Sequence, residues 1–142
     1  MKTIVYIAGP LYTPHERSYI EEIAQKLEKL GIITFVPHRD AGLCPPGEES
    51  TEFYFKKDIE YIDKSSIIIA ILNGSDVDSG TAFEMGYGFA KGKLIIGLLD
   101  DTRIANPKQQ INLMIYNSCY NIFNNIDTLI NYIKDWGESN GY

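Results

Sequence analysis

Cationic charge is scarce in this chain. Its 142 residues carry 13 Lys and Arg against 19 Asp and Glu, a formal net charge of -6. A protein that grips a phosphate backbone needs clustered Lys and Arg, so no nucleic acid and no anionic membrane is expected as a partner. Long apolar runs are also lacking, and none approaches the roughly 20 residues that span a bilayer. The start, MKTIVYIAG, has one Lys and turns polar too early for a secretory signal. Cysteine is nearly absent: Cys44 and Cys119 lie far apart without metal-ligand spacing and read as free thiols of a reducing, cytoplasmic compartment. The two histidines, His15 and His38, are equally isolated. No metal site and no cofactor are expected.

What remains is the composition of an ordinary globular protein, 44% hydrophobic and 23% charged. The length suits a single domain over residues 1–142. There is no internal repeat, linker or low-complexity tract.

Hydrophobic patterning predicts alternating strands and helices. Thr3 to Ala8 is a short apolar run closed by Gly9-Pro10, a strand feeding a turn. From Pro14 to Leu30, the residues Ile20, Ile23, Ala24, Leu27 and Leu30 recur at helical spacing, with Gly31 as a stop. A second strand, Ile32 to Val36, leads into a segment over residues 37–50 without periodicity. Thr51, as N-cap, opens a helix to Asp63, and the Ile-rich run Ile67 to Leu72 suits a strand covered on both faces. A helix from about Gly80 to Lys91, strand Leu94 to Leu99, a looser segment, a weak strand near Tyr120 to Phe123 and a last helix from about Ile126 to Trp136 complete the chain. Such alternation implies an α/β fold, a doubly wound (flavodoxin-like or Rossmann-like) five-stranded parallel sheet with helices on both faces. Its ligands bind at the carboxyl ends of the strands.

The segment DVDSGTAFEMGYGFA, directly after the most apolar strand, carries the chemistry. Glu84 is the only acidic or basic side chain between Asp78 and Lys91, set among Ala, Phe, Met and Gly. Burying a lone carboxylate costs stability unless it is paired or neutralised, so a functional role is the economical explanation. Gly80 and Gly88 flank it at i-4 and i+4. They either leave room beside the carboxylate for another molecule or allow the helix to pack tightly on the sheet. Asp78, at the strand-to-helix turn, either caps the helix or meets a ligand. The turn is acidic and no Lys follows its glycines, which disfavours a triphosphate. In Tyr6-Ile7-Ala8-Gly9-Pro10-Leu11-Tyr12, Gly9 and Pro10 could form a backbone platform for a flat ligand. Asp58 alone reads equally well as a solvated helix residue.

Taken together, AGPLY at the first turn, Asp58 followed by IEYIDKS, and DSGTAFEMGYGFAKGK resemble the nucleoside 2-deoxyribosyltransferase family from strand one to about Met114. The resemblance implies transfer of 2-deoxyribose between nucleobases, with deoxyribonucleosides and free bases as partners. Glu84 would be the nucleophile that forms a glycosyl ester, and a second base would then attack it with net retention. Asp58 would bind the base and protonate it as it leaves, and Tyr6 would orient the nucleophile. Asp78 would meet the sugar hydroxyls, next to Ser79. Asn112 and Met114, in an Asn-Leu-Met segment, would reach a neighbouring subunit's site, which implies a homo-oligomer. The terminal Tyr142 is a further candidate contact.

Two other readings stand beside this one. The related deoxynucleoside 5-monophosphate N-hydrolases use water as acceptor and need donors for the phosphate. Asn112 stands here where they commonly carry serine, while His38 and Arg39 keep a phosphate reading open. A catalytically silent nucleotide-binding module of the same fold differs from both in predicting that Glu84→Gln leaves ligand response unchanged.

Overall fold

A computed structural model of the chain describes residues 4–47, 50–101, 103 and 110–140. Its strands are β1 (Ile4–Ala8), β2 (Ile33–Phe35), β3 (Ile67–Ile71), β4 (Leu94–Leu98) and β5 (Asn121–Phe123). Its helices are α1 (Pro14–Glu28), α2 (Thr51–Lys64), α3 (Ser79–Ala90), α4 (Leu113–Ser118) and α5 (Ile126–Asn140). The strands form one five-stranded sheet in the order β2-β1-β3-β4-β5, and every pairing is parallel. The doubly wound expectation is met. The winding reverses between β1 and β3, which makes the carboxyl ends of those strands the switch-point crevice.

Side-chain alternation along β1 sorts the core into two layers. Val5 and Ile7 face Ile20, Ile23, Ala24 and Leu27 of α1 and Leu129, Ile130 and Ile133 of α5. Tyr6 and Ala8 face the other way, toward Ile62 of α2 and Met85 of α3, with Ile115 and Tyr116 of α4 at the margin. All five residues of β3 are buried, as a central strand covered on both faces requires.

Local signals explain the boundaries. Thr13 and Glu16 form a reciprocal capping box at the start of α1, where Thr13 Oγ1 accepts from the Glu16 amide at 3.2 Å and Glu16 Oε1 accepts from the Thr13 amide at 2.8 Å. The helix stops at Glu28 rather than Leu30, and Gly31 turns the chain at φ 81. The segment after β2, expected to lack regular structure, begins with a π-helical turn over Pro37–Ala41. There the Val36 amide donates to Asp40 Oδ2 at 2.8 Å. α2 begins at Thr51 with Ser50 in the N-cap position, one residue earlier than read from the sequence.

α3 lies unusually close to the sheet. A Cβ placed on Gly88 would stand 2.1 Å from Ile68 Cδ1 and 3.4 Å from Ile95 Cδ1. Any larger residue would require the buried Ile68 methyl to shift. No helix among the described residues is long and apolar enough to cross a membrane.

Candidate active site

Asp78 fixes the entry to α3. Its Oδ2 accepts from the Thr81 amide at 3.0 Å and from Thr81 Oγ1 at 3.1 Å, so the capping role is real. Thr81, Met85 and Gly88 form the buried stripe of the helix. Glu84, next to Met85, emerges at the border of that stripe and faces α2.

Between α2 and α3 lies a cavity of about 230 Å³ lined by Phe55, Asp58, Ile59, Ile62, Gly80, Phe83 and Glu84. Its walls are apolar or aromatic apart from the two carboxylates, and no basic side chain among the described residues lines it. Glu84 Oε2, Asp58 Oδ1 and, beneath them, Tyr6 Oη are all buried with no hydrogen-bond partner. Buried polar atoms are normally satisfied, and leaving one bare costs free energy. Apart from these, His38 Nδ1 is the only such side-chain atom among the described residues. The fold therefore concentrates its unmet polar groups where a ligand could meet them.

Electrostatics follow from this desolvation. Burial, then the charge of Asp58, pushes the Glu84 carboxyl up to about 8, against the lowering effect of the Tyr6 hydroxyl. Burial also raises Asp58, to about 6. Tyr6 is fully buried, and burial followed by the charges of Glu84 and Asp58 drives its phenol far above the ordinary range. The hydroxyl thus stays protonated and can act only as a donor toward a carboxylate. It lies beside Glu84 without making a hydrogen bond of full geometry.

The structure brings Glu84, Asp58 and Tyr6 together, with Asp78 close enough for its charge to raise Glu84. Ser79 is exposed at the first turn of α3. Gly9 sits at the switch point, where a Cβ would stand 2.9 Å from both Ile20 Cδ1 and Ile71 Cγ1. Pro10 lines a separate cleft on the α1 side with His15, Tyr19 and Asn73. Asn112 caps α4, its Oδ1 accepting from the Met114 amide at 2.9 Å, and Met114 is exposed. Neither reaches the cavity of its own chain.

Arg39 is placed elsewhere. Its guanidinium pairs with Glu28 at 2.9 Å and with Asp40 at 2.9 Å, and it donates to Thr34 Oγ1 at 3.3 Å. These partners engage it on the α1 side of the sheet, away from Glu84. His38 Nε2 lies 2.6 Å from Glu21 Oε1, also on α1. Tyr142 lies outside the described residues.

Two rings at the site carried no signal in the sequence, and a third, Tyr12, was marked there only as a hydroxyl flanking the first turn. Phe55 and Phe83 line the cavity, their ring centroids 6.1 Å apart. Tyr12 stands beside Asp78, whose carboxylate raises its phenol by hydrogen bonding and by charge. All three are exposed aromatics, a pattern visible only once the helices are docked. A larger cleft of about 800 Å³ runs beside edge strand β5, lined by Tyr116, Cys119, Tyr120 and Asn121 among others. It contains no carboxylate, whereas the smaller cavity holds two. Among the described residues no cluster of His, Cys, Asp and Glu could hold a metal ion.

Comparison with known proteins bears on the family and the fold. The family profile described as nucleoside 2-deoxyribosyltransferase matches residues 5–114. An uncharacterized protein of Ureaplasma parvum serovar 3 is 30% identical, covering 93% of this chain and 94% of its own. A conserved protein from Enterococcus faecalis V583 superposes with a TM-score of 0.82 at 22% identity, covering 95% of this chain and 99% of the other. The 2-deoxyribosyltransferase of Bacillus psychrosaccharolyticus superposes with a TM-score of 0.75 at 28% identity, covering 92% of each chain.

Proposed function

The chain belongs to the nucleoside 2-deoxyribosyltransferase family, and we propose on that premise that it exchanges the nucleobase of deoxyribonucleosides through a covalent intermediate on Glu84. The observation that carries this reading is the convergence of Glu84, Asp58 and Tyr6 on one desolvated cavity with bare polar atoms.

The steps follow from the residues. Glu84, ionised, attacks the anomeric carbon of the deoxyribose while the bond to the base breaks. Asp58, raised to about 6, shares one proton with Glu84, which holds it more tightly; in the productive form that proton has passed to Asp58, which gives it to the departing base nitrogen. The ester on Glu84 is then attacked from the opposite face by a second base, whose proton returns to Asp58, and configuration is retained overall. Deoxyribose lacks the electron-withdrawing 2-hydroxyl, so its oxocarbenium-like transition state forms more easily than that of ribose. Tyr6 donates to Glu84, an approach that tightens when substrate is bound. Asp78, with Ser79 beside it, faces the sugar hydroxyls. No cofactor takes part.

The active unit is a homo-oligomer. The outward side of α3 exposes Phe83 at 53% and Phe89 at 59%, and α4 exposes Leu113 at 67% and Met114 at 72%. A monomer would leave this apolar surface in water, whereas a second copy covers it and brings its Asn112 and Met114 to the neighbouring site. Free Cys44 and Cys119 accord with work in the cytoplasm.

The monophosphate N-hydrolase reading loses its main support, because Arg39 is held by Glu28 and Asp40 and the cavity is acidic. The deciding experiment incubates purified protein with thymidine or deoxyinosine plus free adenine and, separately, with deoxynucleoside 5-monophosphates without acceptor. Chromatographic detection of deoxyadenosine from the first mixture is the expected result. Base released only from the monophosphates would overturn the transferase reading, and no turnover in either would leave a binding module.

A further inference from the structure

Tyr6 and Phe35 are in-register partners on adjacent parallel strands, so their side chains stand next to each other on the α2 and α3 side of the sheet. Their rings lie 5.3 Å apart at 24°. On its other side Phe35 stacks on Tyr61 of α2, with centroids 3.9 Å apart at 14°. Phe35 is 1% exposed, and the outer ring, Tyr61, has the ammonium groups of Lys57 and Lys64 at 5.2 Å and 5.1 Å from its centroid. The result is a continuous row of rings from a pair of surface cations to a buried phenol beside Glu84. The phenol approaches Glu84 without a hydrogen bond of full geometry, so that contact is weak and ring packing takes a larger part in setting its orientation.

We propose that Phe35 is a positioning residue for Tyr6: clamped between Tyr6 and Tyr61, its ring fixes the plane of the phenol so that the hydroxyl is presented to Glu84. The inference rests on the reading of Glu84 as nucleophile for its purpose, though not for its geometry. Stacked aromatic pairs hold preferred offsets and contribute about 0.5–1.5 kcal/mol beyond area burial. An aliphatic side chain at Phe35 would fill much of the same volume and fix no plane.

The groups that face Glu84 are Tyr6 from β1, Asp58 from α2 and Asp78 at the start of α3. The Tyr6 hydroxyl alone among them favours the ionised carboxylate. A Tyr6 ring free to turn away withdraws that donor, and Glu84 then binds its proton more tightly. The consequence can be read directly on the protein without substrate.

The test is a carboxyl NMR titration of protein labelled with ¹³C in glutamate, the Glu84 signal identified by its loss in Glu84→Gln. Tyr6→Phe and Phe35→Leu should each move the Glu84 midpoint upward by about one pH unit, roughly a ten-fold loss of ionised fraction. The double variant should move it no further than Tyr6→Phe alone, because both changes remove the same interaction. Tyr61→Leu, on the outer side of the clamp, should shift it in the same direction by less and serves if Phe35→Leu does not fold. Leu27→Ala, buried on the opposite face, lowers stability and should leave the midpoint in place. A wild-type midpoint in folded Phe35→Leu and Tyr61→Leu, or additive shifts in the double variant, overturns the proposal. Coupled shifts in a protein that transfers no deoxyribose would retain the clamp and reject the transferase reading, and transfer with an unmoved midpoint would do the reverse.

Discussion

Asp58 on α2 and Glu84 on α3 face one small cavity from opposite walls, and the charge of Asp58 raises the proton affinity of Glu84. Burial raises both, to about 6 and about 8 respectively. Between those limits the pair holds one proton, and apparent values belong to the pair rather than to either residue. The proton resides mainly on Glu84, and the form competent for attack is the minor one in which it has passed to Asp58.

The pH dependence of kcat/KM should therefore be a bell, with an acid limb near pH 6 and an alkaline limb near pH 8. Initial rates of base exchange across that range give the profile. In Asp58→Asn the Glu84 midpoint should fall, since a repelling charge is gone. An unchanged midpoint would show that the two carboxyls do not communicate.

Glu84→Gln should lose turnover by at least roughly a thousand-fold and keep its fold. Stability gives a second readout. Glu84 titrates from about 8 in the folded chain and from 4.5 in the unfolded one, so between these values the folded state binds more protons. Its contribution is fully present below pH 4.5 and is lost as pH rises through 8. The glutamine variant has no such loss, and its Tm should gain on the wild type as pH climbs across that window. Parallel Tm curves would contradict the burial of a titrating Glu84.

Gly88→Ala should destabilise the protein by about 1–3 kcal/mol, because the added Cβ meets Ile68 Cδ1 at 2.1 Å. Urea unfolding measures it. A neutral effect would mean that α3 can ride further from the sheet without cost.

Arg39→Ala should cost at most about 1 kcal/mol, since its ion pairs with Glu28 and Asp40 are about one-third exposed. Preference between a nucleoside and its 5-monophosphate should stay as in the wild type. A change in that preference would return Arg39 to the substrate site.

Phe89→Asp should reduce the molar mass measured by light scattering, as a charge on the apolar side of α3 opposes a second copy. Retained mass would place the interface elsewhere.

Element order, sheet class and the burial of the Glu84 carboxyl were legible because they depend on local pattern: an Ile-rich strand, helical periodicity, one acid in an apolar stretch. Asp58 was not legible by itself. It lies on another helix, and its meaning comes from the docking of α2 on α3, which the resemblance supplied and periodicity could not. The glycines around Glu84 illustrate the limit. Positions four residues apart differ by about 40° around a helix, so Gly80 and Gly88 fall on opposite flanks of Glu84. Gly80 lines the cavity, whereas Gly88 meets the sheet, so the two glycines stand on different surfaces and one reading does not serve for both. The π-helical turn at Pro37–Ala41 and the short α4 escaped pattern reading because single contacts define them: Asp40 with Val36, Asn112 with Met114.

The sheet separates two environments. The α2, α3 and α4 side carries the cavity and the exposed apolar residues, while α1 and α5 cover the other side with an aliphatic core. A covalent tether belongs on that second side. Lys134 of α5, half exposed and 4.0 Å from Glu138, offers an amine on that second side, so a chain anchored there to a solid support would present the cavity side outward.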